Sequence, residues 1–239
     1  THLQKLNEMR SDFIANVSHE LKTPLTVING YLETLIDNQL VDGIVKKALE
    51  NASSEGVRMS AIIQDLISLS QLETSENQDV IAFNFIELIG QVIQQTELVK
   101  DNLSKLETQI DVDVDPNWTL TGNRNEIFSL MSNLLNNSVR YCPDGTLISI
   151  WTETTSNSID VIVEDNGPGI ADMHIGRLTE RFYRVDESHS SSTGGTGLGL
   201  SIAKHIMNRH GGLLNISSIL GSGTRVKCVF PKDRMRLIT

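Results

Sequence analysis

The chain has 239 residues, 39% of them hydrophobic and 21% charged, with a formal net charge of −10. That length supports one or two domains with a sizeable core, and the acidic balance argues against a nucleic-acid binder that neutralises phosphates. No apolar run approaches the length of a membrane span and no signal peptide is visible. Cys142 and Cys228 lie in unlike contexts without metal-ligand spacing, so free thiols in a reducing, cytosolic setting are expected. The chain begins with Thr rather than Met, which reads as a piece of a longer protein.

Residues 1 to about 38 read as one long helix: Leu3, Leu6, Arg10, Phe13 and Val17 follow the three- and four-residue steps of a bundle seam, and Leu25, Ile28, Leu32 and Leu35 continue the stripe. His19 lies two positions from both Val17 and Leu21, about 200° round the helix from each, and so faces away from the stripe. Pro24 removes a backbone donor five residues later and should bend the helix. An outward histidine beside an acid, Glu20, suits a presented nucleophile and equally a solvated surface histidine. After a turn-like break at Asn38–Gly43, Ala48, Ala52, Met59, Ile62, Leu66 and Leu69 predict a second helix over about 44–73. A single hairpin has too little surface to bury both stripes. The expectation is a homodimer forming a four-helix bundle, the alternative being a hairpin packed on its own downstream domain.

Polar residues 74–82 mark the boundary, giving domains over 1–76 and 77–239. Beyond it the expected elements are a short strand or turn from Phe83 leading into a helix to Lys100, a strand over 108–114, and a helix over 123–141. Strands over 147–154 and 158–164, a helix over 198–210 stopped by Gly211-Gly212, and a closing hairpin over 213–218 and 224–230 follow. The fold class is therefore α+β, with helices covering one face of a mixed sheet.

Three segments of the second domain carry chemistry. In NLLNN, Asn133 and Asn137 are four apart and face the same way, offering hard neutral oxygens suited to Mg²⁺. In VIVEDNGPGI an apolar strand ends at Asp165, a carboxylate placed to accept from an exocyclic amine, with Gly167 and Gly169 letting the backbone pass close to a flat ring. In SSSTGGTGLGL, Gly195, Gly197 and Gly199 free backbone N–H groups at a helix N-terminus, a setting for phosphate. It is neither a Walker A loop nor a Rossmann fingerprint. The stretch from Ala171 to Thr196 reads as a lid.

Together and in this order the segments resemble the ATP-binding domain of sensor histidine kinases, with relatives among the gyrase, Hsp90 and MutL ATPases. NLLNNSVRYCP resembles the N box, DNGPGI the adenine-binding aspartate motif, ERFYRVD the F box, GGTGLGL the second glycine box, and FIANVSHELKTPL the H box of the phosphotransfer hairpin. The resemblance implies a dimeric four-helix bundle followed by an α/β sandwich that binds ATP and Mg²⁺. It implies His19 as the phosphorylated residue, Glu20 as the acid that takes its proton, and Thr23 as the residue that positions water to dephosphorylate a response-regulator partner. It further implies Asn137 as the metal ligand with Asn133 beside it, and Asp165 as the adenine partner. Arg140 and Tyr141 would face the nucleotide, Arg184 would lie near the γ-phosphate, and Gly167, Gly169, Gly195, Gly197, Leu198 and Gly199 would shape pocket and lid. Two positions depart from the family pattern: Ser138 replaces a usual alanine, a small change, and Cys142 replaces a small hydroxyl residue before the proline. HELKTPLTVINGYLE and RLTERFYRVD resemble the phosphate-regulon branch, which implies a cytoplasmic portion of an inner-membrane receptor. Two rivals remain, a transmitter that binds nucleotide without transferring it, and a plain ATPase that would leave the H-box segment without a purpose.

Overall fold

The computed structural model describes residues 25–26, 28–30, 32–33, 35, 43–74, 79–185 and 195–237. They fall into two units, residues 1–75 with 186–198 and residues 76–185 with 199–239. His19, Glu20 and Thr23, most of the turn around Asn38–Gly43, and the core of the expected lid lie outside the described residues.

In the first unit the described residues between 25 and 35 are helical, and α1 (Gly43–Thr74) is the second arm of the hairpin. Leu25, Ile63, Leu69 and Leu72 are buried. The seam is covered only toward the C-terminal half of α1: Met59, Ala48 and Ala52 remain exposed, as do Ile28, Leu35, Val45 and Val57. Two amphipathic helices cannot bury both stripes against each other.

The second unit begins with β1 (Val80–Asn84), then α2 (Phe85–Asn102), β2 (Gln109–Asp113), β3 (Trp118–Asn123) and α3 (Arg124–Tyr141). It continues through β4 (Leu147–Thr154), β5 (Ser158–Asp165), the short α4 (Asp172–Ile175), α5 (Gly199–Arg209), β6 (Leu213–Ile219), β7 (Gly223–Pro231) and β8 (Met235–Leu237). Both long helices open on Asn-x-x-Glu. The Asn84 side chain accepts from the Glu87 N–H, and Asn123 accepts from the N–H groups of Asn125 and Glu126, satisfying donors that helix geometry orphans.

Instead of one mixed sheet the unit has two. A small antiparallel sheet runs β1-β3-β8, and a mixed one runs β2-β4-β5-β7-β6, in which only β2 and β4 are parallel. Strands β3 and β8 are additional to the strands that the sequence pattern predicts, and β1 starts within the residues 74–82 that read as a polar boundary. In the large sheet, alternation puts Ile148 and Ile150 of β4, Ile159, Val161 and Val163 of β5, and Cys228 and Phe230 of β7 on one buried face. Helix α3 packs between α2 and α5, closing the core with Ile127, Leu130, Met131, Leu134, Leu135 and Val139. On the other face Arg225 stacks on the Trp151 ring and Lys227 bridges Glu153 and Asp160. That face is polar, yet it covers Ile162.

His210, just past α5, is completely buried. Its Nδ1–H donates to the Ile206 carbonyl oxygen at 2.8 Å, which leaves Nε2 to accept the Asn123 N–H at 3.1 Å. Both bonds suit a neutral ring. Burial pushes its pKa below 6.5, and Arg234 and Arg209 push the same way. The bond to Ile206 and the nearby Glu126 oppose them. Glu126 is held by Arg209 at 3.0 Å, tying the start of α3 to the end of α5. Below the ordinary histidine pKa the unfolded chain binds a proton that the folded chain refuses, so stability falls as pH drops through that range. The thermal midpoint is expected to fall from pH 7.5 to 5.5, and His210→Gln to flatten that dependence. Midpoints measured at half-unit pH steps check this.

Candidate nucleotide site

Strand β5 is the central strand of the large sheet, and it ends on Asp165, paired with Ile148 on one side and Thr224 on the other. An apolar strand buried along its length thus delivers one carboxylate, itself only 7% exposed, to the end of the sheet. A buried carboxylate must be hydrogen-bonded. The turn that follows supplies the Gly167 N–H to Oδ1 at 3.1 Å, and the start of β7 supplies the Thr224 N–H to the same oxygen at 3.3 Å.

The β6–β7 hairpin backs this turn closely. A Cβ at Gly223, where φ is +122°, would lie 1.9 Å from the Asp165 carbonyl oxygen, and one at Gly169, where φ is +67°, would lie 2.0 Å from that of Ile219. Neither position admits a side chain. The Gly221 N–H donates to the Pro168 carbonyl oxygen, and the Ser218 hydroxyl accepts from Ile170 N–H and donates to the Gly223 carbonyl oxygen. The turn after the aspartate is therefore rigidly seated.

Helix α3 brings the N-box residues alongside. Leu134, Leu135 and Val139 face the core, while Asn133, Asn137 and Arg140 lie on the half-buried side. The Asn133 amide donates to the Ser129 carbonyl oxygen, and its own oxygen faces Gly199 at the start of α5, where a Cβ would come within 2.7 Å. Tyr141 is about half exposed at 48%, and Arg184 is half-buried in the segment after α4. Residues 195–198 cluster with the first unit. There the Leu198 N–H donates to the Thr196 hydroxyl, which donates to the Asp65 carboxylate at 2.6 Å.

Ser138 is a small departure from the family pattern in sequence, and the structure gives it a role. Its hydroxyl donates to Asp165 Oδ2 at 3.0 Å with both residues buried. Pro143 forces Cys142 into extended backbone, ending α3 there. The buried Cys142 thiol, four residues from Ser138, then faces Asp165. Burial first, then the nearby Asp165 carboxylate, push that thiol up to about 12, so it stays protonated.

Among the described residues no cluster of three His, Cys, Asp or Glu exists that could cage a metal. A divalent cation here would rest on an amide oxygen of the Asn137 type together with ligand phosphates, which suits Mg²⁺. Among them, too, no helix is long and apolar enough to cross a membrane.

Two family profiles match the chain in tandem. Residues 9–75 match the His Kinase A phospho-acceptor domain, and residues 122–234 match the histidine kinase-, DNA gyrase B- and HSP90-like ATPase domain. The chain belongs to the sensor histidine kinases. It is 41% identical over 235 residues to the phosphate regulon sensor protein PhoR of Pseudomonas aeruginosa, covering 96% of this chain and 52% of that one. It is 37% identical to PhoR of Haemophilus influenzae, covering 97% of this chain and 54% of that one. The chain thus spans about half the length of the curated relatives it matches. A crystal structure of full-length ShkA in complex with AMPPNP shares the fold, with a TM-score of 0.70 and 21% identity over 92% of this chain and 45% of that one.

Proposed function

We propose that the chain is the kinase core of a sensor protein in phosphate-regulon signalling, which autophosphorylates His19 from ATP and then passes the phosphoryl group to an aspartate of a response regulator. The observation that carries this reading is the buried Asp165 carboxylate, held at the end of the central strand by backbone N–H groups and aimed as an acceptor, within a chain that also carries the H-box segment. Residues 1–76 act as the dimerisation and phosphotransfer domain and residues 77–239 as the ATP-binding domain.

In this reading Asp165 accepts the adenine amino group, and Gly167 and Gly169 let the backbone lie against the ring. Arg140 and Tyr141 flank the nucleotide, and Arg184 meets the γ-phosphate. The N–H groups around Gly195, Gly197, Leu198 and Gly199 line the phosphates. Asn137, with Asn133 beside it, would hold Mg²⁺, which when bound neutralises phosphate charge. An imidazole nitrogen of His19 attacks the γ-phosphorus, the bond to the bridging oxygen breaks, ADP leaves, and the ring proton passes to Glu20. Free histidine titrates near pH 6.5, so the nucleophile is mostly neutral at pH 7. Thr23 would position water for the reverse, phosphatase, reaction. Exposed apolar residues along the hairpin, among them Ile28, Val57 and Met59, support a homodimer.

The deciding experiment is incubation with γ-labelled ATP and Mg²⁺. A protein-bound label lost in acid and kept in alkali supports the reading. Free phosphate without a phosphoprotein would favour a plain ATPase, and bound but unconsumed nucleotide a non-catalytic transmitter.

A further inference from the structure

Three donors bind the Asp165 carboxylate among the described residues: the N–H groups of Gly167 and Thr224 on Oδ1, and the Ser138 hydroxyl on Oδ2. They are not equivalent. The two N–H groups are fixed by the turn and the hairpin, and both bind the same oxygen, so they leave rotation of the far oxygen unopposed. The Ser138 hydroxyl is the partner that binds Oδ2. The torsion that aims a carboxylate is broad and nearly two-fold, so an anchor on each oxygen is what sets its plane.

A helical serine ordinarily turns its hydroxyl back to the carbonyl one turn earlier. Ser138 instead crosses to β5, at a position only 8% exposed, where a hydroxyl must find a partner. An alanine there would take away the hydroxyl bond to Oδ2.

We propose that Ser138 is a positioning residue for base selection: its hydroxyl sets the plane of the Asp165 carboxylate so that the remaining lone pair meets the exocyclic amino group of an incoming purine. The inference rests on the reading of Asp165 as the adenine partner. Ser138 itself touches no nucleotide. Its effect is confined to ligands carrying the 6-amino group, which separates positioning from packing.

The test is equilibrium titration of the full chain with ATP and with purine riboside 5′-triphosphate, which lacks that group, using wild type, Ser138→Ala and Ser138→Cys. Wild type is expected to prefer ATP. Ser138→Ala is expected to weaken ATP about five- to tenfold and the analogue without the 6-amino group less than about twofold, the scale of one ordinary hydrogen bond. Ser138→Cys keeps the volume and swaps a strong donor for a weak one, and should fall between the two. It also serves where the thermal midpoint shows that the alanine variant does not fold. Equal losses for both ligands would make Ser138 a packing residue, and no loss for ATP would remove its role; either result overturns the proposal. Equal binding of both ligands by wild type would instead overturn the adenine role of Asp165, and the inference with it.

Discussion

Replacing His19 by Gln is expected to abolish the acid-labile phosphoprotein label completely while leaving ATP affinity within about twofold, because His19 belongs to the matched phospho-acceptor segment and is not among the residues proposed to hold the nucleotide. Glutamine keeps the approximate size and polarity of the side chain but offers only amide atoms, none of which is a basic nucleophile. Of the three histidines the structure describes, two are already engaged, and the third, His205 on α5, is half-buried. Both ring nitrogens of His210 are committed, to Ile206 and Asn123, and the ring is fully buried. His174 spends Nδ1 on the Tyr183 hydroxyl at 2.6 Å, with Arg177 stacked on that tyrosine at 4.1 Å. A label that persisted in the variant, retaining its loss in acid, would move the phospho-acceptor elsewhere and overturn the assignment of His19. Parallel titration with ATP separates loss of transfer from loss of binding.

The elements with strong periodicity were legible in the sequence, and the exceptions have physical causes. Helix α3 announces itself through Ile127, Leu130, Met131, Leu134 and Leu135 on one face, and β5 through Ile159 and the apolar run Val161, Ile162 and Val163. Strand β3 was hidden although Trp118 and Leu120 alternate with polar neighbours, because Pro116, Asn117, Gly122 and Asn123 crowd six residues with turn chemistry. Strand β8 is three residues long, too short for any period to show, and it exists because β3 offers it an open edge. The first residues of β1 are exposed and follow a polar run, so only their pairing with β3 defines them as a strand.

The site divides the same way. Asp165, Gly167 and Gly169 are adjacent in sequence, and their chemistry can be read from that adjacency. Ser138 could not be read so: its meaning lies 27 residues away, across the contact between α3 and β5. Cys142 is similar. Pro143 beside it predicts the end of the helix, but nothing local says that the thiol then meets the aspartate. Sequence adjacency exposes the residues that bear chemistry, whereas the residues that aim them come from other elements and are visible only once those elements are packed.

Asp165→Asn should weaken ATP about 100-fold, on the order of 3 kcal/mol, while costing the fold little. The amide is nearly isosteric, so packing around Gly167, Thr224 and Ser138 survives. Its single oxygen can still accept from the Gly167 and Thr224 N–H groups, which both address Oδ1. The NH₂ then replaces Oδ2 and faces the Ser138 hydroxyl, which can rotate to accept because a hydroxyl both donates and accepts. What cannot be repaired is the encounter with the nucleotide. An exocyclic amine now meets a donor where it met an ionised acceptor, so a charge-assisted bond is lost and two donors oppose each other. The readout is ligand-dependent stability. ATP at 100 times the wild-type dissociation constant should stabilise the wild-type fold by about 2.7 kcal/mol. The same concentration should stabilise the Asn variant by less than about 0.5 kcal/mol, the yield of a 100-fold weaker site. His19→Gln must keep that nucleotide-dependent stabilisation in full, and Asp165→Asn must lose it together with the label. An Asn variant that kept the wild-type response to ATP would show that the nucleotide binds without this carboxylate.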